Sequence, residues 1–389
     1  MKIAINGRFL TRPHTGIGVY TKQLFSAFAR ENPDSEIVMI TPAAPSSELH
    51  LPSNVEIVTV PEKFPGTGGM KKTYWEQVQV PSAIAKSAPD LIHFPYPSNP
   101  WRRRSGARKA PVIVTVHDVI PWILPDYRRS VSTRLYQNRC MRAVAKADLV
   151  ITVSQSSKKE IMRVCGVTAD RIDVIPNAPA PAFFRKFTPP ETARILRKYG
   201  INPDRPFFLY GGGYDPRKNV SVIVRTWLET IAPEYGIDLV LAGGKQHESV
   251  YYSSYDLTNP DLQHSLRASK GKIVFTGFVS DEDFPALYQS CHAFLNLSRS
   301  EGFNLPLLEA GVSGAPAVAS DIPVHREVAG AYAEFCPPDD PKALSDILKR
   351  LATDESFRQN KKESSQKYIC PYTWEKSAQL LMQSYKRVS

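Results

Sequence analysis

Residues 293–311 read Ala293-Phe294-Leu295-Asn296-Leu297-Ser298-Arg299-Ser300-Glu301-Gly302-Phe303-Asn304-Leu305-Pro306-Leu307-Leu308-Glu309-Ala310-Gly311. The first five form a short apolar run suited to a buried strand, and Pro306 is a natural first residue of a helix. Strand, polar loop and helix in that order make half of a parallel crossover, which predicts a parallel sheet flanked by helices. The same stretch places chemistry: Glu301 falls in the loop and Glu309 one turn inside the helix, so both can face one cleft. Gly302 permits close approach of the chain, and loop amides at a helix start suit a sugar or phosphate. Two such carboxylates serve either as a general acid and base or as a grip on vicinal hydroxyls. Leu305, Leu307, Leu308 and Ala310 make the surroundings of Glu309 apolar, which argues against a merely solvated side chain.

The alternation continues in both directions. Before the middle of the chain, strands are expected at Lys2–Ile5, Ile37–Ile40, Val55–Val60, Leu91–His93, Val112–Val116, Leu149–Val153 and Ile172–Ile175, with helices near 18–30, 133–146 and 157–164. After it, strands at Phe207–Tyr210, Leu239–Ala242, Ile273–Thr276, Ala293–Leu297 and Ala317–Ser320 alternate with helices near 219–230, 281–290, 306–313 and 342–351. This predicts an α/β chain of two doubly wound domains, 1–180 and 191–371, joined by a proline-rich linker at 181–190. A final helix within 372–389 spaces Ala378, Leu381 and Tyr385 on one face and should dock rather than hang free.

The 389 residues suit two domains, and 42% hydrophobic with 22% charged residues is an ordinary globular balance that excludes disordered or fibrous classes. No apolar run is long enough to cross a bilayer and no secretory signal is read, while the five scattered cysteines show no C-x-x-C spacing. A reducing cytoplasm is the expected compartment, and structural zinc is not expected. The net charge of +11 is uneven: residues 1–190 hold 26 Lys and Arg against 14 Asp and Glu, whereas the rest holds 23 against 24. Lys71-Lys72, Arg102-Arg103-Arg104, Arg108-Lys109 and Arg128-Arg129, near Tyr74, Trp75, Trp101, Trp122 and Tyr127, suit an anionic lipid surface or an acidic acceptor. No nucleic-acid module accompanies the charge, so no nucleic-acid partner is expected.

Three further stretches carry candidate chemistry. In Thr15-Gly16-Ile17-Gly18, two glycines precede a helix and let amides approach an anion, although a plain tight turn fits equally. His117-Asp118 closes a buried parallel strand, where His117 is placed to donate a hydrogen bond to a reacting sugar. In Tyr210-Gly211-Gly212-Gly213-Tyr214-Asp215-Pro216-Arg217-Lys218-Asn219, a glycine turn leads to two cations, a geometry suited to a diphosphate. Asp281-Glu282-Asp283 has the D-x-D spacing of a metal site, but acidic residues at a helix start are favoured without metal, and none is expected.

Together with Thr15-Gly16-Ile17-Gly18, His117-Asp118, Pro216-Arg217-Lys218-Asn219, Phe275-Thr276-Gly277-Phe278-Val279 and Tyr372-Thr373-Trp374, the E-x7-E spacing of Glu301 and Glu309 resembles glycosyltransferase family 4. These are retaining enzymes of the GT-B fold, two facing Rossmann-like domains, and the resemblance covers essentially the whole chain. It implies that Lys218 binds the donor diphosphate, Glu309 the ribose, Glu301 the transferred sugar and the Gly277-Phe278-Val279 turn the base. His117 would sit near the reacting centre, and Gly16, Gly18, Gly212, Gly213, Gly302, Phe303, Asn304 and Leu305 would complete the donor surface. The family often has an arginine where this chain has Gly213, and Arg217 stands in for it. The implied reaction is front-face transfer from a nucleotide sugar, without metal or other cofactor. Tyr74-Trp75-Glu76-Gln77 with Pro81 and Val116-His117-Asp118 resembles a mannosyltransferase-rich subgroup. GDP-mannose is then the expected donor, with UDP-glucose, UDP-galactose and dTDP-rhamnose open. A lipid-linked saccharide at the cytoplasmic membrane face is the expected acceptor.

Overall fold

The computed structural model describes residues 1–45, 51–66, 68–101, 110–128, 130–243 and 269–389. The basic run 102–104 with 108–109, and Arg129, lie outside these. The chain divides into two compact units, Met1–Ala178 with Tyr372–Ser389, and Pro179–Pro371.

The first unit is a seven-stranded sheet of β1 (Lys2–Asn6), β2 (Glu36–Thr41), β3 (Val55–Thr59), β4 (Leu91–Phe94), β5 (Val112–Thr115), β6 (Leu149–Thr152) and β7 (Ile172–Val174). Its order is β3-β2-β1-β4-β5-β6-β7, and every pairing is parallel. Central strands are apolar on both faces because helices cover both: Ile3, Ala4, Ile5, Ile113 and Val114 are fully buried. The C-terminal helix Trp374–Val388 packs on the Gly16–Glu31 helix. Ala378, Leu381 and Tyr385 form its buried stripe. Hydrogen bonds fix its position: the Tyr385 hydroxyl lies 2.7 Å from His93 Nδ1, Ser377 donates to the Pro176 carbonyl and Ser384 to Asp173.

The second unit holds β8 (Phe207–Gly211), β9 (Asp238–Ala242), β10 (Ile273–Gly277), β11 (Ala293–Asn296), β12 (Ala317–Ser320) and β13 (Ala333–Cys336). They are ordered β10-β9-β8-β11-β12-β13, again all parallel. In each sheet the order reverses beside the first strand, at β1/β4 and at β8/β11. There the loops leaving the carboxyl ends diverge, and α/β sheets of this kind bind their ligands at that point.

Residues 181–190, expected as a linker, are built into the second unit instead. Phe183 is buried in its core. Pro189 and Pro190 open the helix Pro189–Lys198, where Thr188 and Glu191 form a reciprocal capping box. Proline at the first helical positions costs no hydrogen bond, so the run that argued against a helix starts one. Strand β13 and the helices Pro323–Ala329 and Glu355–Gln366 are further elements that periodicity did not announce.

Candidate functional site

The second unit's site is built on the loops after β8 and β11, the two strands at its order reversal. After β8 the backbone turns through Gly212 at φ 144°, a conformation reserved for glycine. Beyond it, Asp215 caps the short 3-10 turn Pro216–Lys218 by accepting from the Arg217 amide at 3.1 Å. Asn219, at φ 57°, then turns the chain into the helix Val220–Thr230. The two cations therefore stand in a rigid turn before the helix rather than in its first turn.

After β11 the chain reaches Glu301, and the loops meet there. Arg217 Nη1 donates to Glu301 Oε2 at 2.7 Å and to the Ser300 carbonyl at 3.0 Å, while Lys218 Nζ donates to Glu301 Oε1 at 2.5 Å. The Arg299 amide donates to the Arg217 carbonyl at 2.7 Å and ties the two loops together. Burial alone would raise the Glu301 acid, but Lys218 and Arg217 outweigh it and hold it down at about 2. Asp215 also lies 3.8 Å from Arg217 Nε, so the two cations are matched by two carboxylates, and Glu301 has a lone pair left over for hydroxyl donors. Such a cluster can meet the charge developing on a leaving diphosphate.

Glu309 lies in the helix Leu305–Ser313 as the spacing predicts. Its setting is the opposite of that of Glu301: burial, then the nearby Asp281 charge, push its acid up to about 8. Gly302 and Phe303 are buried, and Asn304 caps the helix, its Oδ1 accepting from the Leu307 amide at 3.4 Å. Gly277, at φ 67°, begins an exposed turn in which Phe278 is 60% exposed and Val279 is buried. Gly213 has open space where a side chain would stand. The D-x-D stretch precedes the helix Phe284–Ser290, and Asp283 accepts hydrogen bonds from Lys198 at 2.6 Å and Tyr199 at 2.8 Å.

In the first unit, two expectations change. The Gly18 amide donates to Thr15 Oγ1 at 3.2 Å, and a Cβ there would come within 2.2 Å of the Arg12 carbonyl. Gly18 is thus a close-packing glycine whose amide is already used, whereas Gly16, which opens the helix, has open space beside it. His117 Nε2 lies 2.9 Å from the Pro95 carbonyl, which only accepts, so the ring donor is spent there. Burial lowers the His117 pKa to about 4 and keeps the ring neutral. The remaining nitrogen, Nδ1, accepts; it does not donate as expected. Tyr20 fixes the ring edge-on at 4.6 Å, and its hydroxyl is 3.0 Å from Thr115 Oγ1.

Asp215 and Arg299, which brace the cation turn, were missed in the sequence, and so was His325, 2.6 Å from Asn304. The signal available for Asp215 was its place directly before Pro216, as a capping residue.

Residues 14–179 match Glycosyltransferase Family 4 and residues 191–368 match Glycosyl transferases group 1. Among relatives, O-antigen chain mannosyltransferase B of Escherichia coli is 28% identical over 70% of this chain and 70% of its own length. The serotype-specific mannosyltransferase WbdA of Escherichia coli is 26% identical over 79% of this chain, which spans only 38% of that longer protein. Among solved structures, Anabaena HepE in complex with UDP-glucose superposes with a TM-score of 0.73 at 17% identity, covering 99% of this chain and all of that one. Two all-parallel α/β units of this order and these matches, covering nearly the whole length, show that the chain belongs to glycosyltransferase family 4 and has the GT-B fold.

Proposed function

We propose that the protein is a retaining hexosyltransferase that moves mannose from GDP-mannose to a saccharide or lipid-linked saccharide acceptor. The observation that carries the reading is the Arg217–Glu301–Lys218 cluster at the carboxyl ends of β8 and β11. The charge developing on a leaving diphosphate seated there would be met by two cations already held in place by Glu301. The mannosyltransferase names of relatives at 26–28% identity support the sugar. With cations in that position the charge is met without a divalent metal, and no metal or other cofactor is proposed.

In this reading the acceptor hydroxyl attacks the anomeric carbon on the face the diphosphate leaves from. The new glycosidic bond forms as the sugar–phosphate bond breaks, and the hydroxyl proton passes to the departing diphosphate. Glu301 orients Arg217 and Lys218 and takes a sugar hydroxyl with its free lone pair. Glu309 takes the ribose hydroxyls, and His117 Nδ1 accepts from a sugar hydroxyl. The Gly277–Val279 turn receives the base, and the amides of the 302–305 loop contact the donor. The basic first unit approaches an anionic membrane from the cytoplasm, an attraction that weakens with salt. Among the described residues, no helix is long and apolar enough to cross a membrane.

A panel of nucleotide sugars read by thermal stabilisation tests the donor, because a ligand preferring the folded state raises its melting temperature. Stabilisation by GDP-mannose, with and without divalent cation, is expected. A response to UDP- or dTDP-sugars alone would replace the donor, a second reading that the UDP-glucose complex of HepE favours. No response to any would leave a protein without a donor. An inverted anomeric product would refute the front-face step.

A further inference from the structure

β11 and β12 run side by side, and the polar residues at and beyond their carboxyl ends are buried. Asn296, Ser298, Ser320 and His325 are at most 1% exposed and Asn304 is 5%. Buried polar groups must find partners, and these five find each other. The Ser320 hydroxyl has one proton and donates it to the Ser298 carbonyl. Toward His325 Nδ1, 3.0 Å away, it therefore only accepts, and the Ser320 carbonyl, also at 3.0 Å, can do nothing else. The ring proton is thereby assigned to Nδ1, leaving Nε2 as an acceptor.

Asn304 Nδ2 donates to Nε2 at 2.6 Å. Its Oδ1 accepts from Asn296 Nδ2 at 3.2 Å, and Asn296 Oδ1 accepts from Ser298 at 3.0 Å. Donation thus runs one way along an open circuit, from the Ser298 hydroxyl through Asn296, Asn304, His325 and Ser320 to the Ser298 carbonyl. Each bond in such a circuit polarises the next. The circuit reaches the site at both ends of one loop. Ser298 begins, and Asn304, held at φ 75°, ends the loop that contains Glu301, Gly302 and Phe303. Only glycine, asparagine and aspartate adopt that backbone readily, and a pinned side chain helps hold it.

We propose that His325 is a positioning residue of the donor site: as a neutral ring protonated on Nδ1, it holds Asn304 and so sets the 298–304 loop that presents Glu301 to the nucleotide sugar. This rests on the donor reading given above. A histidine that merely fills the core would stabilise the unit without bearing on the donor.

His325→Phe keeps the ring's bulk and removes both hydrogen bonds, while His325→Gln restores an acceptor near the position of Nε2. Hydrogen exchange of residues 298–308, calorimetric affinity for GDP and UDP, and donor KM and kcat are measured alongside melting temperature. The Phe variant is expected to exchange faster in that segment alone and to lose about tenfold in donor affinity, the weight of one or two hydrogen bonds. The Gln variant should recover most of it. If His325→Phe does not fold, Asn304→Gly breaks the same circuit while tolerating the positive φ. Unchanged exchange, or faster exchange with unchanged donor KM and affinity, overturns the proposal. Wild-type protein that binds neither nucleotide refutes the donor reading, which is seen before any variant is made; a wild type that binds, with variants binding equally well, refutes the positioning role alone.

Discussion

The two units share one topology and differ in what they place at its carboxyl ends. Within β4 and just beyond β5 the first unit sets neutral rings: His93 and His117, lowered by burial to about 3 and 4, with Tyr20 and Thr115 between them. Its buried carboxylate, Glu76, is raised by burial and covered by the hydroxyls of Tyr96 and Tyr136. Beyond β8 and β11 the second unit sets ions, one carboxylate gripping two cations. The strand order 3-2-1-4-5-6 thus supplies a place for chemistry without choosing it. A fixed charge suits a diphosphate, and neutral acceptors suit sugar hydroxyls.

That contrast breaks first at Lys218. Lys218→Ala should lower turnover about a hundredfold, the usual loss when a group stabilising transition-state charge is removed. Steady-state transfer rates that do not change would deny the ionic cluster its role.

The carboxylates of the second unit sharpen the contrast next, through pH. Glu309 ionises near 8 when folded against an ordinary 4.5. The folded chain then holds a proton that the unfolded chain has lost, so this residue's contribution is complete below about 4.5 and is lost as pH rises toward 8. Glu301, near 2, acts in the opposite sense, its contribution present above 4.5 and lost as pH falls toward 2. Denaturant melts should show a flatter profile between pH 4.5 and 8 for Glu309→Gln and a flatter acid limb for Glu301→Gln. Wild-type slopes retained in both would mean that neither environment is as described.

In the first unit, His117→Phe keeps the edge contact with Tyr20 and removes Nδ1. Transfer should fall by about tenfold, the scale of one lost hydrogen bond to the reacting sugar. If His117→Gln does no better than Phe, hydrogen-bond acceptance is not what the ring supplies. The smallest effect is expected from Tyr385→Phe, which leaves His93 Nδ1 unpartnered and costs about 1–2 kcal/mol. Calorimetry should show it in the melting of the first unit, and a shift in the second unit instead would contradict the docking of the last helix.

Much of this was legible from residue order. Runs such as Ile37–Ile40 and Leu239–Ala242 announce buried parallel strands because both faces are apolar. Ala333-Glu334-Phe335-Cys336 is short and carries a charge, so β13 shows itself only beside β12. Helix starts at Pro189 and Pro323 read as loop because proline there breaks the local helical pattern, although at the first helical positions it costs no hydrogen bond. Glu301, Arg217 and Lys218 each stood out alone, but their bonds join residues more than eighty positions apart and no local spacing encodes that. His117 was visible as a site residue, yet the direction of its hydrogen bond depended on the Pro95 carbonyl. His325 gave no signal, since its partner Asn304 lies on another helix.

The docking of Trp374–Val388 on the first unit also fixes an order of events during synthesis. Residues 179–371 are continuous and hold every strand of the second sheet, whereas the first unit is assembled from segments on either side of them. While the chain is still being made, His93 and the inner face of the Gly16–Glu31 helix wait for a covering segment that is made only after the whole second unit. The first unit is therefore completed only after the second has been made, and any agent that shelters exposed apolar surface in a nascent chain would find it on the first unit.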